Sequence, residues 1–213
     1  MINKTRGEME LVLGTQGYEK VIDAFVTASV NLKFEDINQD FLRFLPPLPA
    51  RVLDAGCGVG QNAAALRELG YEVVAIEPFA PFLEEAVASY QTLDILWLND
   101  SLPALQKVSI DEGEFNFVLL DGVWHHLSYE ERRRCIKRLS SLMAHNAVCA
   151  ISLRHGPAGG GTHVFPTSAK ELVEYAKEFG FEVILQLENQ PSKLPNKQQV
   201  TWSRVALKKC STT

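Results

Sequence analysis

The segment from Val52 to Gly60 carries the clearest chemical signal in this 213-residue chain. An apolar run ends at Asp54 and leads into three closely spaced glycines, Gly56, Gly58 and Gly60, followed by a helical pattern. Because glycine has no Cβ, such a turn lets backbone N–H groups approach a ligand closely at the start of a helix. The pattern predicts a ligand-binding turn between a buried strand and a helix.

The spacing of the glycines narrows the class of ligand. The dinucleotide fingerprint G-x-G-x-x-G would place its third glycine at position 61, which is Gln61. A phosphate-binding P-loop would end in Gly-Lys-Ser or Gly-Lys-Thr, and the turn has no such ending. We therefore expect a nucleoside ligand that lacks a pyrophosphate.

An acidic residue, Glu77, ends the second predicted strand, directly before Pro78. An ionised carboxylate at this position can accept hydrogen bonds from the two adjacent hydroxyls of a ribose. The alternative is an acid that is favoured only by the dipole of the following helix. Because the glycine turn and the carboxylate occur together, the ribose role is preferred.

The segment Asp121-Gly122-Val123-Trp124-His125-His126 follows the fourth predicted strand. Near neutral pH an imidazole can take a proton from a hydroxyl or ammonium nucleophile, so His125 and His126 are candidate catalytic residues. In the alternative interpretation, His125 lies on the surface and His126 is a hydrogen-bonded core residue.

Arg154 and His155 follow the fifth predicted strand and are candidate substrate-binding residues. The planar guanidinium of Arg154 suits a carboxylate or phosphate, but it can equally pair with an acid of the fold. The glycine-rich segment that follows, within residues 156–166, is either a mobile lid over the site or a disordered connection.

Short apolar runs alternate with amphipathic helical patterns from residue 50 onward, which indicates βαβ units around a parallel sheet. The helices are predicted from about Gln61 to Leu69, from near Pro78, from the Ser128–Glu131 capping box to about Ala144, and from Ser168 to Gly180. The predicted strands are Arg51–Asp54, Glu72–Glu77, Asp94–Leu98, Phe115–Leu120, Ala147–Leu153, Glu182–Leu187 and Val200–Leu207.

Composition limits the classes of function. The net charge of −5 argues against a non-specific nucleic-acid binder. The basic run from Arg132 to Arg138 is expected to be the solvated face of a surface helix. The four cysteines form no C-x-x-C pair, no signal peptide is recognisable, and no apolar run approaches the roughly 20 residues that span a bilayer. A cytoplasmic protein without membrane attachment is expected.

With the stretch from Asp54 to Gly60 and Glu77 in hand, the chain resembles the class I S-adenosylmethionine (SAM)-dependent methyltransferases from about Arg51 to its end. The resemblance implies an α/β, Rossmann-like fold: a seven-stranded, mostly parallel sheet with an antiparallel hairpin strand at its edge and helices on both faces. It divides the chain into an N-terminal helical segment or cap, residues 1–48, and a SAM-binding domain, residues 49–213. Residues 1–48 either form a flap over the ligand or pack on the sheet edge.

The same resemblance implies SAM as cofactor and S-adenosylhomocysteine as product, and a set of residues that contact them. Asp100 and Ser101 match the adenine position, with Asn99 as the alternative for the acid, and an ordinary Asx turn is the competing explanation for this stretch. Asp121 and Gly122 match the methionine end. The remaining implied cofactor residues are Asp54, Ala55, Gly56, Cys57, Gly58, Gly60, Glu77 and Pro78.

These features predict direct in-line methyl transfer to a small polar metabolite. Methylation of RNA or of a protein side chain is one alternative, and a non-catalytic SAM-binding scaffold is another. The fourth strand is not followed by Asn-Pro-Pro-Tyr or Asp-Pro-Pro-Tyr, and no Pro-Cys pair supplies a nucleophile. No metal is expected, because the sequence has no cluster with metal-ligand spacing. The missing post-strand motif and the acidic net charge disfavour nucleic acid as partner. The oligomeric state is not predicted.

Overall fold

The computed structural model describes residues 12–30, 32–193 and 197–211. Seven strands form one sheet in the order β3-β2-β1-β4-β5-β7-β6. Strand β7 pairs antiparallel with both β5 and β6, whereas the other pairings are parallel. The predicted Rossmann-like sheet with a hairpin at one edge is confirmed. The strands are β1 Arg51–Ala55, β2 Glu72–Ile76, β3 Ile95–Leu98, β4 Phe115–Leu120, β5 Met143–His155, β6 Phe181–Pro191 and β7 Thr201–Lys209.

The α-helices are α1 Ile22–Ser29, α2 Phe34–Ile37, α3 Gln61–Glu68, α4 Ala80–Ser89, α5 Tyr129–Leu142 and α6 Ala169–Glu178. Helices α1 and α2 precede β1, and the other α-helices connect strands of the sheet. Short 3-10 helices cover Leu13–Thr15, Tyr18–Lys20, Leu42–Phe44 and Trp124–His126. In the described ranges, no helix has the length and apolar content needed to cross a lipid bilayer.

Two hydrophobic cores lie on opposite faces of the sheet. Along β1, Val52 packs into one core and Leu53 into the other, because successive side chains of a strand point to opposite faces. Helices α5 and α6 cover the Leu53 face, whereas α3 and the aromatic residues Phe34 and Phe41 cover the Val52 face. The predicted placement of helices on both faces is confirmed.

Local capping fixes where helix α5 begins. The Ser128 hydroxyl accepts from the Glu131 backbone N–H, and the Glu131 carboxylate accepts from the Ser128 N–H, which completes the predicted capping box. The helix ends at Leu142 and β5 begins at once at Met143. The predicted boundaries near Ala144 and Ala147 were therefore too late.

Arg132 corrects the prediction that the basic run is a solvated face. Its side chain is fully buried, forms an ion pair with Glu171 at 3.0 Å, and donates to the backbone carbonyls of Trp124, Phe165 and Pro166. Helix α5 thus turns one arginine into the protein, where the buried charge is neutralised and hydrogen-bonded. Its neighbours Arg133 and Arg134 are exposed, as predicted.

The parallel strands deliver the predicted site residues to one edge of the sheet. Strands β1 to β5 end within two residues of Asp54, Glu77, Asp100, Asp121 and Arg154, in that order. In open α/β sheets, ligands bind in the crevice outside the carboxyl ends of the strands. The topology therefore brings together residues that are far apart in sequence.

Candidate functional site

The glycine turn after β1 is held by the neighbouring strand. The backbone N–H groups of Gly56 and Cys57 both donate to the Ile76 carbonyl at 2.9 Å, and Gly60 donates to the Cys57 carbonyl. The side chains of Ala55 and Cys57 are buried in the two hydrophobic cores. These two residues therefore offer a ligand only their backbone.

The three glycines have positive φ angles but different surroundings. A Cβ on Gly56 would lie 2.5 Å from Val123, and one on Gly60 would lie 2.7 Å from Trp97, so both positions need glycine for packing within the protein. A Cβ on Gly58, with φ +56°, would meet only the Phe25 ring, at 3.5 Å. Gly58 is therefore the glycine of the turn at which an added side chain would not enter the hydrophobic core.

Glu77 lies beside Gly58 and is buried. One carboxylate oxygen accepts from the Gly58 N–H at 3.0 Å, and the other accepts from the Phe79 N–H at 2.8 Å. Burial raises the pKa of Glu77 to about 7, against these two hydrogen bonds, which lower it. The carboxylate predicted to bind a ribose is thus next to the turn, and here it is bound to backbone N–H groups.

Two further carboxyl groups line the same edge. Asp54 is buried, and one of its oxygens has no hydrogen-bond partner among the described residues. Burial, followed by the charges of Asp121 and Glu77, raises the pKa of Asp54 to about 8. Asp121 is ion-paired with Arg204 at 3.2 Å and accepts from the Ser152 hydroxyl. Two of the three acids at this edge thus have pKa values near or above neutrality, and the third is paired with an arginine.

Gly122 and the loop after β3 complete the predicted cofactor residues. The Gly122 N–H donates to the Ser152 hydroxyl. The Asn99 amide donates to the backbone carbonyls of Glu77 and Pro78 and so ties β3 to the end of β2. The Asp100 carboxylate accepts from three backbone N–H groups of its own loop, those of Ser101, Gln106 and Lys107. Asp100 therefore shapes this loop, in the manner of the Asx turn that competes with an adenine contact.

Aromatic side chains of the N-terminal segment cover the glycine turn. The Phe25 ring lies over Gly58 and stacks on Phe82 of α4, with the ring centroids 4.4 Å apart. Tyr18 meets both rings edge to face. Two cavities, of about 470 and 220 Å³, lie elsewhere, around Arg51, and neither is lined by the turn. Neither Tyr18 nor Phe25 was among the predicted site residues. The only sequence signal for them is the aromatic character of their side chains in a mostly polar segment.

The two candidate catalytic histidines have different environments. His126 Nδ1 lies 2.9 Å from the His163 carbonyl, and Nε2 lies 3.0 Å from the Tyr18 hydroxyl. Nδ1 must therefore carry the proton, and Nε2 accepts from the phenol. His125 is buried rather than on the surface, and its Nδ1 has no partner among the described residues. Burial, followed by the charges of His126 and Arg154, lowers the pKa of His125 to about 2.

The glycine-rich segment after β5 packs against the N-terminal segment. A Cβ on Gly161 would lie 2.5 Å from the His126 ring, and one on Gly160 would lie 3.2 Å from the Tyr18 ring. The Thr162 N–H donates to the Gln16 carbonyl at 2.8 Å. The glycines thus permit a close approach, and the two segments form one cover over the site.

Arg154 and His155 separate in the structure, although they are adjacent in sequence. His155 has both ring nitrogens within hydrogen-bond distance of hydroxyls of the fold, those of Ser203 and Thr167. The Arg154 guanidinium donates to the Pro157 carbonyl at the glycine-rich segment. The case for substrate binding therefore rests on Arg154.

A family model described as a methyltransferase domain matches residues 31–186, which is most of the chain. The chain belongs to this family. An uncharacterized methyltransferase of Mycobacterium tuberculosis is 31% identical over 112 residues, which cover 49% of this chain and 54% of that protein. A second one from that organism is 33% identical over 82 residues, covering 38% and 31%. This methyltransferase domain thus spans about half, or less, of the curated relatives it matches.

Solved methyltransferases share the fold of this domain. A TehB-like SAM-dependent methyltransferase from Corynebacterium glutamicum gives a TM-score of 0.64 at 19% identity and covers 92% of this chain and 98% of that chain. The 1,6-didemethyltoxoflavin-N1-methyltransferase of Burkholderia thailandensis, solved with S-adenosylhomocysteine, gives 0.69 at 19%, covering 92% and 85%. The magnesium protoporphyrin IX methyltransferase of Synechocystis, solved with SAM, gives 0.59 at 17%, covering 95% and 86%. At such identities, the likeness shows the fold.

The described residues of this methyltransferase domain hold no group of three or more His, Cys, Asp or Glu side chains arranged for a metal ion. The expectation of metal-free chemistry stays a prediction.

Proposed function

We propose that this methyltransferase domain transfers a methyl group from SAM to a small polar molecule. The observation that carries the proposal is the pairing of Gly58, whose Cβ position is free of the protein core, with the buried Glu77 carboxylate beside it. Once the Phe25 ring moves away, the turn could receive a nucleoside, and the acid can accept from a ribose diol. On binding, the Glu77 oxygens would accept hydrogen bonds from those hydroxyls, either in place of the Gly58 and Phe79 N–H groups or in addition to them.

The charge of the crevice supports a cationic ligand. Asp54, Glu77 and Asp121 surround it, and burial holds the pKa of Asp54 and Glu77 far above the usual range. A positively charged ligand favours the ionised acids and reduces their cost of burial. SAM carries an ammonium and a sulfonium, and the unpartnered Asp54 oxygen is a ready acceptor near the turn. A pyrophosphate such as that of NAD would instead disfavour the ionisation of these acids.

The loop formed by Asn99, Asp100 and Ser101 is proposed to bind the adenine. Asp100 already accepts from three N–H groups of that loop, so its main contribution is to hold the loop in shape. Asp121 and Gly122 are proposed to lie at the methionine end, where Arg204 fixes the Asp121 carboxylate.

His126 is the residue proposed to handle the proton. When bound, SAM supplies a methyl group on a sulfonium that already carries its leaving group, so a base is an addition to positioning. The His163 carbonyl keeps the proton on Nδ1, and burial lowers the pKa of His126, so the ring stays neutral. Nε2 can then accept the proton of a hydroxyl or ammonium acceptor once Tyr18 releases it. His125, with a pKa of about 2, is poorly suited to this task.

A small acceptor is preferred to RNA or a protein side chain. Of the two arginines that the structure describes at this edge, Arg204 is already paired with Asp121, so only Arg154 is left to contact a polyanion. The cover of Tyr18, Phe25 and the glycine-rich segment also leaves little open surface for a macromolecule. We further propose that this cover lifts to admit ligands and closes over them, because Phe25 now rests against Gly58.

Calorimetric titration with SAM and with S-adenosylhomocysteine tests the cofactor assignment, with NAD as a negative control. Gly58→Ala places a methyl group in the crevice at a strained φ, and we expect at least tenfold weaker binding. Gly180→Ala is the matched control, because Gly180 also has a positive φ, +76°, and no atom within 4 Å of its Cβ position. Both variants should lose a similar stability, about 1–2 kcal/mol, from the left-handed backbone. Equal affinity in the two variants would remove the turn from the site.

Incubation with radiolabelled SAM and a fractionated cell extract tests the reaction itself. Label in low-molecular-weight products supports a small acceptor, and label in RNA or protein fractions supports the first alternative. Cofactor binding without transfer to any fraction would favour the non-catalytic scaffold.

A further inference from the structure

Arg154 stands at the end of β5, on the sheet edge that carries the glycine turn. One of its nitrogens donates to the Pro157 carbonyl at 2.5 Å, and another lies 3.8 Å from the Cβ position of Gly159. The side chain is therefore held under the glycine-rich segment of the cover. A guanidinium has five N–H donors, so most of them remain for a ligand.

Among the described residues, Arg154 and Arg138 are the partly buried arginines without an acid beside them. Arg138 donates to the backbone carbonyls of Ala104, Leu105 and Val108, whereas Arg154 donates to the Pro157 carbonyl. The arginines that do form ion pairs are Arg51 with Glu72 and Glu112, Arg67 with Asp94, Arg132 with Glu171, Arg133 with Glu178, and Arg204 with Asp121. An arginine charge taken partly out of water is costly unless it is paired. Of the two interpretations left open by the sequence, pairing within the fold therefore loses its support.

The groups around Arg154 are neutral. Tyr18 interacts with the Arg154 charge and keeps its own proton, because burial raises the pKa of Tyr18 to about 12. Both imidazoles, His125 and His126, have their pKa lowered by burial and in part by Arg154. Burial also lowers the pKa of Arg154, while Tyr18 is the neighbour that raises it. The fold thus places a cation among neutral polar groups and leaves the counter-charge to be supplied.

We propose that the methyl acceptor carries an oxyanion, a carboxylate or a phosphate, which binds the Arg154 guanidinium. This inference rests on the proposed function and narrows its substrate class to small anionic molecules. The planar fork of arginine suits two oxygens of one oxyanion. The acceptor would bind beneath the glycine-rich segment, with its nucleophilic hydroxyl or amine turned towards Nε2 of His126. Acids at the cofactor end and a cation at the acceptor end would then orient the two ligands oppositely.

NMR titration of the full chain loaded with S-adenosylhomocysteine tests this inference, with inorganic phosphate and acetate as probes. The Nε–H signal of Arg154, assigned by its loss in Arg154→Lys, should shift in a saturable way with at least one of the two probes. In Arg154→Gln we expect the binding of that probe, followed at the His126 ring, to weaken at least tenfold. Arg134→Gln is the matched control, since Arg134 is an exposed arginine of α5, and it should bind as the wild type does.

The outcomes are distinguishable from a failure of the proposed function. If S-adenosylhomocysteine binds but neither probe shifts Arg154 saturably, or if Arg154→Gln binds the probes as tightly as the wild type, the oxyanion site is overturned and the cofactor site stands. If S-adenosylhomocysteine itself fails to bind, the proposed function falls, and this inference falls with it. A response to phosphate alone or to acetate alone supports the inference and assigns the oxyanion.

Discussion

Replacing Phe25 with alanine should make SAM bind more tightly, because the Phe25 ring covers Gly58 in the ligand-free protein. The ring stacks on Phe82 with centroids 4.4 Å apart and meets Tyr18 edge to face at 5.4 Å. Each aromatic pair contributes about 0.5–1.5 kcal/mol beyond the burial of area, so the two pairs hold the cover closed by about 1–3 kcal/mol. This energy must be overcome before the cofactor enters.

If the closed cover competes with SAM, its loss appears directly in the apparent affinity. A free-energy difference of about 1–3 kcal/mol corresponds to roughly 5- to 150-fold tighter binding, as an upper range. Calorimetry measures the affinity, and stopped-flow fluorescence should show a faster association step. Phe179→Ala is the control, because Phe179 packs on the core at the end of α6, away from the crevice. It should lower the melting temperature and leave SAM affinity unchanged.

The reasoning is refuted if Phe25→Ala binds SAM more weakly than the wild type. Phe25 would then be a wall of the bound cofactor's site rather than an obstacle to it. Unchanged affinity together with an unchanged association rate would show that the ring does not stand in the path.

Three other predictions follow from the buried charges. Glu77→Gln should weaken SAM binding at least tenfold by calorimetry, because the amide nitrogen cannot accept a hydrogen bond from a ribose hydroxyl. Tight binding in this variant would remove Glu77 from the site. The folded pKa values of Asp54 and Glu77, about 8 and about 7, lie above their ordinary values of 3.8 and 4.5, so the folded protein binds more protons across that window. Thermal melts of the ligand-free protein should therefore show stability falling as pH rises from 5 to 8, with the stabilisation by SAM increasing; a rise in stability would contradict the assignment. Arg132→Met should lower the free energy of urea unfolding by about 3–5 kcal/mol, because it leaves the largely buried Glu171 carboxylate without its ion pair. Arg133→Met removes an exposed ion pair and should lower it by under about 1 kcal/mol. Equal losses in the two variants would contradict the burial argument.

The glycine turn and its acid could be predicted from the sequence because their geometry is local. A strand, three glycines and a helix start are contiguous, and Glu77 follows the next strand, which the turn must contact. Parallel pairing then places β4 beside β1 and β5 beside β4, so Asp121 and Arg154 arrive at the same edge by topology. Period-2 and period-3.6 patterns carry this information.

The cover could not be predicted in the same way. Tyr18 lies on a 3-10 turn and Phe25 on helix α1, and their partners Phe82 and His126 are distant in sequence. Such contacts depend on packing between segments, for which spacing gives no signal. The prediction for Arg132 was wrong for a related reason. A charged residue on a helix was expected to face water, but Glu171 on the neighbouring helix and three backbone carbonyls compensate its burial.

The most direct test of the central claim is a crystal structure grown with S-adenosylhomocysteine. The ribose hydroxyls should lie within hydrogen-bond distance of the Glu77 carboxylate, with the nucleoside against Gly58 and the Phe25 ring displaced from its present contact. A ligand bound elsewhere, with Phe25 still on Gly58 and Glu77 still bound to the Gly58 and Phe79 N–H groups, would contradict the account.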